Sequence, residues 1–187
     1  MKLSPVIEEL REQCPAFNRR VFGVAEFSQI NESTSSEGLP AAYVIPLTET
    51  PFEPVATTRY KQTVEFTFAV VLVVSNEADE QGLNAWEHAV DLKRDVFKAI
   101  LGQDDYATGR DWIQYEGASV VSLNRAALMV QLEFSINYDI DEADTRHGAD
   151  IERLERFLRM FGDVDVIGGD GRPDGNIETK FHINLEK

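Results

Sequence analysis

Ala126-Ala127-Leu128-Met129-Val130-Gln131-Leu132-Glu133-Phe134-Ser135-Ile136-Asn137-Tyr138-Asp139-Ile140 is the stretch that decides the fold. Leu128, Val130, Leu132, Phe134, Ile136, Tyr138 and Ile140 alternate with Met129, Gln131, Glu133, Ser135, Asn137 and Asp139. Side chains on a strand point to opposite faces in turn, so the pattern predicts one long strand over 126–140 with a buried face. Asn124-Arg125 reads as a tight turn. Residues 118–123, entered through Trp112 and Tyr115, read as the antiparallel partner.

Working outward, 57–75 reads as a second long strand. Val64, Phe66, Phe68, Val70, Leu72 and Val74 share one face. The other face begins polar at Thr63, Glu65 and Thr67 and turns apolar at Ala69, Val71 and Val73. A strand apolar on both faces is covered on both sides there, and a neighbouring subunit could supply the second cover. Between the two strands, 80–101 reads as a helix capped by Asp79 and ended by Gly102. Leu83, Trp86, Ala89, Val90, Phe97, Ile100 and Leu101 recur in it at helical spacing.

At the N-terminal side, Ser4-Pro5 opens a helix, with serine as the cap and proline at the first position. Val6, Ile7, Leu10 and Cys14 form its apolar face, and Pro15 stops it. Val21, Phe22 and Val24 suggest a short strand, 25–30 a helical turn and 31–38 a polar loop. Residues 41–47 read as a short buried strand, whose end Pro46 demotes to a sheet edge. Residues 48–56 hold Pro51 and Pro54 and read as an exposed loop.

A charged break at 141–148 precedes a second module. Residues 149–161 read as an amphipathic helix and 162–176 as a Gly- and Asp-rich loop. Residues 177–185 read as a strand with Ile177, Phe181, Ile183 and Leu185 on one face. One helix and one strand cannot form a core alone, so 141–187 is expected to dock on its own domain or on a neighbour. The fold class is α+β: a mostly antiparallel twisted sheet with helices packed on one face over 1–140, plus a C-terminal helix-strand extension over 141–187.

The chain has 187 residues, 43% of them hydrophobic and 27% charged. A chain of this length buries roughly 70% of its unfolded surface without a staple. The net charge of −15 disfavours duplex DNA as a ligand. The single cysteine, Cys14, allows no intrachain disulfide and fits a reducing compartment. No apolar run follows Met1-Lys2-Leu3, and the longest one, 69–74, is too short to cross a bilayer, so neither a secretory leader nor a membrane span is expected.

Chemistry is hard to find. His88, His147 and His182 lie far apart and in no metal-binding spacing. The run Gly168-Gly169-Asp170-Gly171-Arg172-Pro173-Asp174-Gly175 lacks the alternating ligands and closing glutamate of a calcium loop, and reads as a turn. Asp104-Asp105 and Asp163/Asp165 sit in polar loops, where neither acid would stay neutral for catalysis. No catalytic residue, cofactor site or metal site is expected, and no enzyme.

Several segments together resemble a known family. They are the helix ending Cys14-Pro15-Ala16-Phe17, the Val21 to Phe27 run, and Leu39-Pro40-Ala41-Ala42-Tyr43-Val44-Ile45-Pro46. Arg59-Tyr60-Lys61-Gln62 then leads into the long strand, and Ala78-Asp79-Glu80-Gln81-Gly82 precedes the helix that ends Ala99-Ile100-Leu101-Gly102. Tyr115-Glu116-Gly117-Ala118 and Phe134-Ser135-Ile136-Asn137-Tyr138 open and close the hairpin. In this order, over about residues 3–140, they resemble the tail terminator proteins of tailed bacteriophages.

The resemblance implies a non-enzymatic virion protein, assembled in the host bacterial cytoplasm. It would form a ring, typically hexameric, at the head-proximal end of the tail tube. The ring stops tube polymerisation and meets a head-completion or connector protein, and DNA passes through its lumen without specific binding. Six copies at −15 each would carry −90 formal charges, which would repel DNA phosphates. Family members often end soon after the hairpin, whereas this chain continues.

Candidate contact residues follow from exposure and charge. Arg59, Tyr60 and Gln62 open the long strand beside the loop holding Pro51 and Phe52. Arg19 and Arg20 could pair with an acidic neighbour. Val71, Val73 and Phe181 offer strand surface, and Trp112 and Tyr115 are either core or interface anchors. Two other readings stay open: a different head-tail connector or minor tail protein, separated by its position in the particle, and a small-ligand-binding enzyme, which needs a pocket of converging polar groups.

Overall fold

The computed structural model describes residues 2–27, 38–55, 59–76, 83–102, 112–153, 159–164, 175, 177 and 179–184. The chain divides into two compact units, Met1–Glu142 and Ala143–Lys187.

The first unit opens with α1 (Ser4–Gln13). Its first helical bond runs from the Ile7 amide to the Leu3 carbonyl, 3.1 Å, so Leu3 is the N-cap. Ser4, expected as the cap, therefore lies inside the first turn, and no side chain caps the helix. After a 3-10 turn (Pro15–Phe17) come β1 (Val21–Phe22) and the single turn α2 (Val24–Phe27). Then follow β2 (Ala41–Pro51), β3 (Lys61–Ser75), α3 (Leu83–Ile100), β4 (Gln114–Leu123) and β5 (Ala127–Asp141).

The five strands form one sheet in the order β1-β2-β3-β5-β4. Only β1 and β2 are parallel. β3 and β5 pair along their whole length, from Lys61 opposite Asp141 to Ser75 opposite Ala127. The alternation read from 126–140 is thus the central register of the molecule. Phe68 and Phe134 sit opposite each other with ring centroids 5.5 Å apart.

The even-numbered face of β3 and β5 packs against α1 and α3. Val6, Leu10, Cys14, Phe68, Leu72, Leu92, Val96, Leu132 and Phe134 form its fully buried centre. The buried stripe of α3 is Ala85, Ala89, Leu92, Val96, Ala99 and Ile100. Leu83 and Trp86, expected on that stripe, are instead 59% and 46% exposed. Alanines let the helix lie close to the sheet, and that turns the bulkier residues outward.

Over 48–51 the expected loop is strand. β2 continues past Pro46 through an irregularity in register between Pro46 and Thr48, as far as Pro51 opposite Val64. A proline is tolerated at such a site because no ladder donor is required of it. β1 flanks β2 only at Ala42 and Tyr43, so the rest of β2 is an open edge among the described residues. The ladder extends beyond Pro51 through Phe52 N to Thr63 O, 2.9 Å, and Val55 N to Lys61 O, 3.1 Å. The long strand starts at Lys61, not at 57. Residues 57 and 58, the expected Asp79 cap and the 103–109 turn lie outside the described residues.

The second unit holds α4 (Arg146–Arg153), β6 (Arg159–Val164) and β7 (Thr179–Asn184). The expected helix over 149–161 is therefore displaced: α4 starts earlier, and 159–161 belong to a strand that runs on into the expected loop. β6 and β7 form a two-stranded antiparallel sheet. A lone strand at 177–185 would leave both rows of backbone groups without a ladder, and β6 satisfies one of them.

Candidate assembly surface

The register of the sheet places two groups of the candidate residues at opposite ends of β2. Arg19 and Arg20 lie where β2 begins, since the Ala42 amide donates to the Arg20 carbonyl, 3.0 Å. Pro51 and Phe52 lie where β2 ends. At about 3.3 Å per residue, the strand separates the two groups by roughly 30 Å.

At the first end, Asn18 and Arg19 both take left-handed backbone angles, φ 51° and 62°. That conformation costs energy in a residue with a Cβ. It turns Arg19 outward, with its side chain 70% exposed and 3.9 Å from Glu8. Arg20 folds back instead, and its Nε donates to the Pro40 carbonyl, 3.2 Å. Of the two, Arg19 therefore faces solvent, with Glu8 beside it.

At the other end, the Gln62 side chain ties the β2–β3 hairpin shut. Its Nε2 donates to the Phe52 carbonyl, 2.8 Å, and its Oε1 accepts from the Tyr60 hydroxyl, 2.5 Å. Gln62 therefore positions the hairpin end, and Phe52, Val55 and Tyr60 form its surface at 49%, 77% and 41% exposure. Arg59 is exposed beside them. Below this, Asp139 on β5 accepts from Thr63 Oγ1, 2.7 Å, and pairs with Lys61 Nζ, 2.9 Å.

Trp112 and Tyr115 separate in role. β4 runs antiparallel to β5 from Gln114 opposite Ser135, so Trp112 lies toward the same sheet end as Phe52 and Tyr60. Trp112 is open to solvent, next to the buried Ile113. Tyr115 packs between Phe97, 4.7 Å, and Phe134, 5.7 Å, with Lys93 Nζ over its ring at 5.9 Å. The hairpin end of β2 and β3 thus gathers Phe52, Val55 and Tyr60, whereas Trp112 lies beyond β5, at the entry to β4.

Val71 and Val73 do not join a surface. They are buried with Ala127 and Met129, and the chain's own Phe27, Leu39, Tyr43 and Ile45 pack against them. The second cover of β3 is supplied internally, so a neighbouring subunit has nothing to bury at these two positions. Phe181 lies in the second unit, on the open face of β7.

Edge strand β4 carries exposed residues the sequence reading passed over: Val120, Val121 and Leu123. The adjacent Val120-Val121 pair breaks strict alternation, and β4 shifts register between Val120 and Ser122. Among the described residues, no group of three or more His, Cys, Asp or Glu is placed to hold a metal ion. No helix among them is long and apolar enough to cross a membrane.

A family model described as phage tail terminator protein matches residues 1–145. The chain belongs to the phage tail terminator protein family. No curated protein matches it. As a tail terminator family member it is a structural component of a bacteriophage tail. The matched residues take in all of the first unit and stop just inside the second.

Proposed function

We propose that this tail terminator forms a ring, of six copies, on the head-proximal end of a phage tail tube. The ring stops addition of tube protein and gives a head-completion or connector protein its seat. The family match over residues 1–145 carries the reading. The role is structural and requires no catalysis, and assembly takes place in the host bacterial cytoplasm.

The surfaces support it. A closed ring needs two different patches on each subunit, each facing a patch of the next. The two ends of β2 differ from one another, with Arg19 at one and Phe52 and Tyr60 at the other. The aromatic end, with Arg59 and Pro51 beside it, is assigned to the tail tube. Arg19 is assigned to a carboxylate of the neighbouring subunit. The acidic ring would repel the DNA that passes through its lumen.

The test is tube elongation in vitro. Tube protein of the same phage polymerises with and without the purified chain, and gold-labelled antibody marks the chain on electron micrographs. Shorter tubes labelled at one end support the reading. Label along the tube, or tubes of unchanged length, would overturn it.

A further inference from the structure

Two prolines lie on the outer edge of β2, and both face away from the rest of the sheet. The Ala42 amide donates to Arg20, outside β3, so by alternation Val44 and Pro46 also turn their backbone groups outward. At the other end the Phe52 amide donates to Thr63 of β3, 2.9 Å, so Pro51 before it faces outward. Past Val44 the outward positions are therefore Pro46, Glu49 and Pro51, with Leu47 in the register irregularity. Of these three, Glu49 alone carries an N–H.

The shared phase of the prolines depends on that irregularity. Pro46 and Pro51 are an odd number of residues apart, so on an unbroken strand one of them would face β3 and delete a bond from the ladder. The shift between Pro46 and Thr48 adds one residue to β2 and puts both on the outer side. The inward positions over the same stretch are Thr48, Thr50 and Phe52, which keep their donors. The opposite edge, β4, carries no proline and is interrupted by register shifts instead.

We propose that Pro46 and Pro51 close the outer edge of β2 to strand addition, so that a second copy of this chain cannot extend the sheet there. An exposed edge is a template for a strand of another chain, and an antiparallel addition forms a bonded row at each outward position. At Pro46 and Pro51 the donor is missing, and the pyrrolidine ring stands where the N–H would be. The row at Glu49 then has no neighbouring row to extend it. The second copy is the occupant to exclude because two β2 edges related by a twofold axis run antiparallel, which makes the edge complementary to itself. The inference holds for any number of copies in the ring, since it concerns a contact that the copies avoid.

Restoring the donors tests this in the full-length chain. Pro46→Thr and Pro51→Thr are made singly and together, threonine being suited to strands. Sedimentation velocity compares them with wild type over a concentration series, and hydrogen exchange reads the amides over 46–51. The double variant should form a species larger than that of wild type, increasing with concentration. Exchange over 46–51 should slow in step with it, and each single variant should associate less than the double.

A double variant that sediments as wild type at every concentration shows that the prolines guard nothing. A larger species with unchanged exchange over 46–51 joins the copies elsewhere and overturns the inference. A double variant that fails to fold assigns the prolines to the stability of β2 itself and overturns it too. Each of these results leaves the ring reading standing, because that reading is tested by tube length.

Discussion

Gly162 and Phe181 face each other across the β6–β7 pair, and the Phe181 ring occupies the space that a Cβ at 162 would need. The glycine is therefore selected by packing, since a strand interior otherwise gains nothing from it. Gly162→Ala should push the ring outward and weaken the hairpin by about 1 kcal/mol, at the low end for overpacking because the ring can turn toward solvent. Hydrogen exchange at the β7 amides reads the effect. Adding Phe181→Ala to Gly162→Ala should remove most of the further loss, and additive losses would show that the two residues do not share this space.

The face of α3 gives a second prediction. Leu92 is 1% exposed and Trp86 46%. Leu92→Ala should cost about 2–5 kcal/mol in denaturant unfolding, and Trp86→Ala under about 1 kcal/mol. The reverse order would mean the helix is rotated on the sheet.

The choice of the α3 face that meets the sheet marks the limit of sequence reading here. The β3 and β5 faces were legible because period-two alternation runs the length of each strand and has one interpretation. The α3 stripe was not, because alanines at 85, 89 and 99 carry little hydrophobic signal beside Trp86 and Leu83, yet close helix–sheet contact favours them. Pro51 and Pro54 pointed to a loop over 48–56, but a proline on an open edge costs little. β6 was hidden because Gly162 interrupts its apolar pattern, and its meaning appears only with Phe181 opposite. The contact candidates Phe52, Tyr60 and Trp112 were legible singly. That Phe52 and Tyr60 meet at one hairpin end through Gln62 depends on register, which the sequence alone did not supply.

Cys14 is fully buried in the α1 core. Burial first, then the carboxylates of Asp95 and Glu9, pushes its thiol up to about 12 from 9.0. A thiolate is the reactive form, so native protein at pH 8 should leave a thiol reagent unconsumed until denaturant is added. The raised value favours the protonated thiol in the folded state. Its contribution to stability is complete below pH 9 and is lost as pH climbs toward 12. Cys14→Ala should flatten that alkaline decline, and an unchanged slope would assign it to other groups.

Alkali should also act on Tyr138, whose hydroxyl donates to Glu49, 3.1 Å. Burial, followed by the Glu49 hydrogen bond and charge, raises its value above 10.0. The sign is the same as for Cys14: stability is retained below pH 10 and lost above it. Tyr138→Phe keeps the ring and removes the titration, so ultraviolet absorbance should lose one late-titrating tyrosine. A spectrum with the same late component would contradict the assignment.

Asp139 joins two partners on β3, Lys61 and Thr63. The ion pair is partly solvated, so most of the effect belongs to the hydroxyl bond. Asp139→Asn keeps an acceptor and should cost under about 1 kcal/mol, and Asp139→Ala about 1 kcal/mol or slightly more. Equal losses in thermal unfolding would place the effect in the charge.

The most direct measurement of the central claim is the length of tails assembled when this chain alone is missing. Electron microscopy should show tubes longer than normal, with no heads attached. Tails of normal length that fail only to join heads would contradict termination and leave a connector, and intact infectious particles would contradict a structural role at the tail end altogether.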